Sequence, residues 1–214
     1  MFSHHFRFTY LERPHRKSSQ LVVAVALLIA ALALCSLPAA ARASTGGCPA
    51  AAVSQPFAQW GDANSYLLVS QGDFEGSLSG WSLGAGVGAV SGSEPYGATG
   101  KVGKLSLALP AGSSAQSPFT CVTANDPTIR FFARSSAPLA TVAVAVVYKT
   151  LLGTLAVPLG VVVPSGAWQP TPPTLTASVV AGLLSGGSAE LALRFTALVG
   201  SAQIDDIFID PRMR

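Results

Sequence analysis

Gln71-Gly72-Asp73-Phe74-Glu75, with Gly80-Trp81 just beyond it, and Ile204-Asp205-Asp206-Ile207-Phe208-Ile209 near the far end are the stretches whose reading decides the fold. The first is a turn that ends a short strand at 65–70, where Tyr66 and Leu68 alternate with Leu67 and Val69. The second is a strand of isoleucine and phenylalanine with two carboxylates in its middle. Between them only short apolar or alternating runs recur, over 84–90, 105–109, 119–122, 128–133, 141–148, 155–163, 175–180 and 191–195. Gly, Pro, Ser or Asn clusters fall in nearly every gap, the pattern of an all-β antiparallel sandwich or barrel. The run at 141–148 is the clearest strand, with Val142, Val144, Val146 and Val147. Residues 177–184 suit a helical turn, but Gly186-Gly187 ends it. No internal repeat is evident.

Working outward, residues 1–43 read as an export signal. A basic region ending in Arg16-Lys17 leads into an apolar run over 21–34, and Ala41-Arg42-Ala43 supplies the small-x-small pattern for cleavage before Ser44. An uncleaved membrane anchor is the alternative, since the run approaches spanning length, but Pro38 and the small residues after it favour cleavage and secretion. Cys35 does not make a lipoprotein site, because Leu34 stands where a small residue is required. The signal holds Arg7, Arg13, Arg16, Lys17 and Arg42 against Glu12, which leaves eight basic and nine acidic residues in the remainder. That balance excludes a nucleic-acid partner, which needs a basic footprint, and no stable membrane insertion is expected after cleavage. The Ala, Gly and Pro usage suits a high-GC bacterial source.

Residues 44–63 form a Gly-, Ala- and Pro-rich arm expected to lie over the domain at 64–214, pinned by Cys48 with Phe57 and Trp60. After cleavage Cys48 and Cys121 remain, an even pair in an oxidising compartment, so a disulfide is expected. A thiolate metal site would need further ligands, and His4, His5 and His15 all lie in the signal.

The acidic-aromatic opening with Gly80-Trp81 and the Ile-Asp-Asp closing strand resemble secreted carbohydrate-binding modules of the galactose-binding-like jelly-roll group, over roughly 66–211. The resemblance implies an antiparallel jelly-roll sandwich in which a structural Ca²⁺ joins the opening turn to the last strand. Carried over by position, its ligands would be Glu75 and Asp205 or Asp206, with Asp73 also in reach. Gln71 stands where the group often has Asn. Strict alternation puts Asp205 and Asp206 on opposite faces, and a carboxylate among isoleucines costs several kcal/mol unless it is paired or metal-bound. Turn capping, or pairing with Lys101, Lys104 or Arg194, is the competing use of these acids. Sugar binding in the group uses aromatic faces and polar side chains, which nominates Trp60, Tyr66, Tyr96, Tyr148 and Trp168. Trp81 reads as core. Arg130 and Arg134 flank Phe132 on one strand face and could hold an anion or stack on a sugar, a solvated face being the commoner outcome.

An enzyme is disfavoured. Without histidine or a free thiol the mature chain cannot run a Ser-His-Asp or Cys-His mechanism. Glu75, Glu94 and Glu190 leave a two-carboxylate glycosidase open, but none lies in a catalytic motif, and Gly84-Ala85-Gly86-Val87-Gly88 is not a phosphate loop because no helix follows it. The expected function is a secreted, non-catalytic module for a polysaccharide or cell-wall glycan. A structural or adhesive cell-envelope protein that keeps the fold without sugar binding is the alternative.

Overall fold

The computed structural model describes residues 42–43, 48–123, 126, 128–175 and 188–210. The signal segment before Arg42, the expected strand past Leu175 and the helical turn at 177–184 lie outside the described residues. Two antiparallel sheets face each other, and the only helical element among the described residues is a 3-10 turn at Ala58–Trp60.

Each sheet is organised on one strand near the C-terminus. In the nine-stranded sheet it is β15 (Ala202–Asp210). Along one flank runs β9 (Thr128–Ser135), which in turn carries β12 (Gln169–Pro170) and β13 (Thr174–Leu175). The other flank of β15 is shared. Leu107–Leu109 of β6 (Leu105–Leu109) pair with Ala202–Ile204, and Leu67 and Leu68 of β3 (Tyr66–Leu68) pair with Ile209 and Phe208. Beyond β6 lies β5 (Gly88–Ser91); beyond β3 lie β2 (Ala51–Ser54) of the arm and β1 (Arg42–Ala43).

The six-stranded sheet repeats this plan on β14 (Ser188–Val199). One flank of β14 carries β10 (Thr141–Thr150), with β11 (Gly153–Val162) at the edge. Its other flank is shared by β8 (Thr120–Thr123) and β7 (Ser114–Gln116), with β4 (Ser82–Leu83) beyond β7. Only Gly200-Ser201 separate β14 from β15, and in that step the chain crosses from one sheet to the other. The short strands Ser82–Leu83 and Ser114–Gln116 have no sequence signature of their own. Nor does the sequence mark strands at Arg42–Ala43, Ala51–Ser54 or Gln169–Pro170, whereas β3, β6, β8, β9, β10, β11, β14 and β15 fall on expected runs.

The aliphatic core fills the space between the sheets. Val142, Val144, Val146, Leu191, Leu193 and Phe195 from one side meet Leu107, Ile129, Phe131, Ile204, Ile207 and Ile209 from the other. Phe131 and Phe195 cross edge to face at 5.1 Å. Each such side chain contributes roughly 1.5–3 kcal/mol by leaving water. Trp81 belongs here, as its sequence context indicates. It packs on Phe74 at 5.1 Å and donates its indole N–H to the Ser70 carbonyl at 3.2 Å.

The nine-stranded sheet is covered on its other face too. Phe57 of the arm is fully buried among Tyr66, Phe132 and Phe208. Trp60, Ala98 and Trp168 complete this second, aromatic cluster. The arm begins at the disulfide Cys48–Cys121, which ties it to β8 of the opposite sheet.

Candidate functional site

The opening and closing stretches meet, and they do so through backbone. Val69 N–H donates to the Ile207 carbonyl at 2.9 Å, and Ile207 N–H to the Gly72 carbonyl at 3.1 Å. A side chain at Gly72 would put its Cβ 2.9 Å from the Val69 carbonyl oxygen and 3.2 Å from that of Ile207, so only glycine fits. The turn holds Gln71 and Phe74 at positive φ, 56° and 55°.

Strict alternation fails in β15, and the failure builds the site. Opposite β9 the register slips between Asp205 and Phe208, and Asp206 sits at φ 45° as the extra residue of a bulge. Ile204, Ile207 and Ile209 therefore all face the aliphatic core, whereas Phe208 joins the aromatic cluster on the outside. Asp205, opposite Phe132, takes that outer face as well. The opposite-face expectation for the two aspartates is thus corrected: their carboxyls lie near each other and near the carboxyl of Glu94.

Glu94, Asp205 and Asp206 are almost wholly buried, at 0%, 0% and 3% exposure. One Asp205 oxygen accepts the Ser93 hydroxyl at 2.7 Å and the Glu94 N–H at 2.9 Å, and the other accepts the Asp206 N–H at 2.9 Å. The Glu94 oxygens accept the N–H groups of Tyr96 at 2.5 Å and Ala98 at 2.8 Å, and Glu94 also shares a hydrogen bond with the Asp206 carboxyl. Burial pushes the Asp205 carboxyl up to about 7, against the relief of those hydrogen bonds. Burial, then the charges of Asp205 and Glu94, raise Asp206 further, and Asp73 adds to the repulsion. Among the described residues no lysine or arginine forms an ion pair with these acids.

Glu75 has a different task. One of its oxygens accepts the N–H groups of Lys104 and Leu105 at 2.6 and 2.7 Å. Gly103 lies between it and Ser93, and a Cβ there would meet the Glu75 oxygen at 2.5 Å. Of the proposed metal ligands, Asp205, Asp206 and Asp73 come into electrostatic contact, and Glu94 joins them unforeseen by the sequence reading. Among the described residues no three acidic, cysteine or histidine side chains form a ready metal shell. The donor set is all carboxylate oxygen, the chemistry that suits Ca²⁺.

The proposed sugar-binding residues separate into two groups. Tyr66, Arg130 and Trp168 are buried in or against the aromatic cluster. Arg130 lies 4.1 Å over the Phe57 ring, pairs with Asp62 at 2.7 Å and donates to the Thr171 carbonyl at 2.9 Å. Tyr66 donates its hydroxyl to Asp62 at 2.7 Å. Burial opposes ionisation of Asp62, but these hydrogen bonds outweigh it and hold the carboxyl below the ordinary aspartate value. Burial, with Asp62 beside it, raises the Tyr66 hydroxyl strongly. Arg134 stands 5.1 Å over Trp168. The face expected to be solvated is therefore covered by the arm. Tyr148 is core.

Trp60 and Tyr96 remain accessible, Tyr96 at 39%. They meet at 5.0 Å and 86°, edge to face rather than as a coplanar platform, and the Tyr96 hydroxyl donates to the Trp168 carbonyl at 3.0 Å. Beside Tyr96 opens a cleft of about 350 Å³ between the arm and the loop at 94–100. Ser54, Gln55, Pro56 and Gln59 line one wall, and Tyr96, Gly97, Ala98, Thr99 and Gly100 the other. No lining side chain carries a charge.

No protein-family model matches the chain, and neither does any curated protein. Among solved structures it is similar to the CBM22-1 xylan-binding domain of Paenibacillus barcinonensis Xyn10C, at 14% identity and TM-score 0.42, over 66% of this chain and 93% of that one. It is also similar to TmCBM61 in complex with β-1,4-galactotriose, at 15% identity and TM-score 0.40 over 67% and 97% of the two chains. A third likeness, at 15% identity and TM-score 0.38 over 71% and 98%, is to the family 11 carbohydrate-binding module of a cellulosomal cellulase of Clostridium thermocellum.

Proposed function

We propose that the protein is an exported, non-catalytic module that binds a glycan in the cleft beside Tyr96, with a structural Ca²⁺ taken up where the carboxyls of Asp205 and Asp206 meet. The carrying observation is the cleft itself: a half-exposed tyrosine ring, fixed edge-on by Trp60, faces amide and hydroxyl side chains across a pocket large enough for a few sugar units. Sugar CH groups would lie on the ring while Gln55, Gln59, Ser54 and Thr99 take hydroxyls. The buried carboxyls of Asp205 and Asp206, which hold protons more tightly than ordinary aspartates, support the cation, which would replace a proton there and supply the positive charge the cluster otherwise lacks. Asp73, whose charge reaches Asp206, is the next ligand in reach, and the backbone N–H groups that Glu75 accepts, as Glu94 and Asp205 also do, would compete with a cation for those oxygens.

The test is a glycan array with residues 44–214, followed by titration of any hit with the Tyr96→Ala and Gln59→Ala variants. Binding lost in Tyr96→Ala at unchanged fold supports the cleft, and binding indifferent to both variants removes it. A structural or adhesive envelope role has its own supporting observation. Leu151 and Leu152 at the β10–β11 hairpin tip are fully exposed, at 105% and 100%, and Trp81 and Trp168 are buried. An empty array together with surface adhesion lost in Leu151→Ser with Leu152→Ser would favour that role.

A further inference from the structure

We propose that Glu94 is the positioning residue of the cleft, the part through which the bulge of β15 sets where Tyr96 stands. The proposal rests on reading the cleft as a glycan site. The loop that forms one wall leaves β5 at Ser91 and returns to the sheet at Leu105. Its inner end is fastened to β15 by polar contacts. Ser93 and the Glu94 N–H bind Asp205, and the Glu94 carboxyl meets that of Asp206. From that anchored point Glu94 turns back on its own loop and accepts the N–H groups of Tyr96 and Ala98.

Both N–H groups belong to residues that line the cleft. One buried carboxylate thus fixes the backbone under the aromatic ring and under the floor beside it. A displacement at Asp206 reaches Tyr96 through two hydrogen bonds in series, and a ligand pressing on Tyr96 reaches Asp206 by the same route. Coupling of this kind must be reciprocal. Pro95 stiffens the step between Glu94 and Tyr96, because its ring fixes φ.

Xylohexaose, β-1,4-galactotriose and a β-1,3-1,4-mixed-linked tetrasaccharide would be titrated separately into the oxidised chain of residues 44–214, followed by amide NMR and calorimetry. Saturation with a probe that binds is expected to move the amide signals of Tyr96 and Ala98, and also those of Asp205 and Asp206 across the buried cluster. Glu94→Gln, which offers one acceptor oxygen where two are used, is expected to weaken that probe at least tenfold. Ser117→Ala is the control. It removes the acceptor of the Leu193 N–H in the other sheet, so it lowers stability without approaching the cleft, and its affinity should match wild type. Equal affinity in Glu94→Gln overturns the proposal. So does a saturated wild type whose signals move at 96–98 but not at 205–206, a result that stands even where Glu94→Gln does not fold. Binding by none of the three probes overturns the cleft reading for these glycans, and Glu94's role with it. Binding without any change at 96–98 moves the site away from the cleft and overturns Glu94's role, while glycan binding itself stands.

Discussion

β14 and β15 hold equivalent places, each flanked by one long strand and two short ones, yet they use the place differently. β14 alternates regularly from Leu191 to Ala197, with Leu191, Leu193, Phe195 and Ala197 in the core, and its one register slip, at Leu198 opposite β10, comes only at its end. β15 breaks its alternation once, at Asp206, and around that break stand the buried carboxylates, the opening turn and the loop that walls the cleft. The comparison separates two jobs that one sandwich must do. A strand that obeys its period contributes packing. A strand that departs from it gives up ladder hydrogen bonds and exposes new backbone directions, and these are what bring distant loops together.

The sharpest way to break the comparison is to delete Asp206. Because the residue removed is the extra one, strict alternation would then keep Ile204, Ile207 and Ile209 on the core side, but the kink that brings the opening turn and the loop after β5 to β15 would be lost. The expected result is a chain that still unfolds cooperatively, less stable by about 5 kcal/mol and with the amide signals of Val69, Gly72, Tyr96 and Ala98 displaced. A deletion variant with the wild-type midpoint and wild-type signals there would show that the bulge does not hold those loops.

A second test acts on the joint between the sheets. Cys48→Ser with Cys121→Ser opens a loop with a sequence separation of 73. The expected cost is about 4 kcal/mol in the chain-entropy model, read as a lower urea midpoint, and an unchanged midpoint would deny the arm a stabilising role.

The carboxylates of β15 predict a pH response that β14, with its apolar core residues, does not. Asp205 and Asp206 bind protons more tightly in the folded chain than at the ordinary aspartate value of 3.8. Stability should therefore be full near pH 4 and fall as pH rises through about 7 in the presence of chelator, by on the order of a few kcal/mol. Millimolar Ca²⁺ should flatten the fall, because a ligand held only by the folded state raises the midpoint. Identical pH profiles with Ca²⁺ and with chelator would leave protons, not a cation, as the partners of these acids. The smallest effect on stability belongs to Tyr96→Ala, at about 1 kcal/mol by thermal unfolding, since its ring is half exposed. A larger loss would make Tyr96 a structural residue.

Much of the sandwich is legible from residue order. Val142, Val144 and Val146 alternate inward as written, and Trp81 is core because glycine and the turn before it bring it onto Phe74. The bulge was encoded as well. Ile204, Ile207 and Ile209 can share one face only if one residue is extra, and the spacing of three followed by two states that count. Glu94 could not be found in this way. Its partners, Asp205 and Asp206, lie more than a hundred residues away, and nothing local to Ser93-Glu94-Pro95 marks a buried acid. The aromatics failed for a related reason. Tyr66, Trp168 and Arg130 sit on the outward side of their sheet, but Phe57 arrives from the arm and closes over them. Alternation gives the side of the strand on which a residue stands and is silent about what covers that side.

The tie between Cys48 and Cys121 also decides how the molecule carries mechanical load. Tension applied at the N-terminal end passes from Cys48 directly into Cys121 and onward toward the C-terminus, so the backbone between the two cysteines stays slack. Both walls of the cleft, from Ser54 to Gln59 and from Tyr96 to Gly100, fall inside that shielded span. A chain held by one end and pulled by the other would keep the cleft's own segment unstretched for as long as the disulfide lasts.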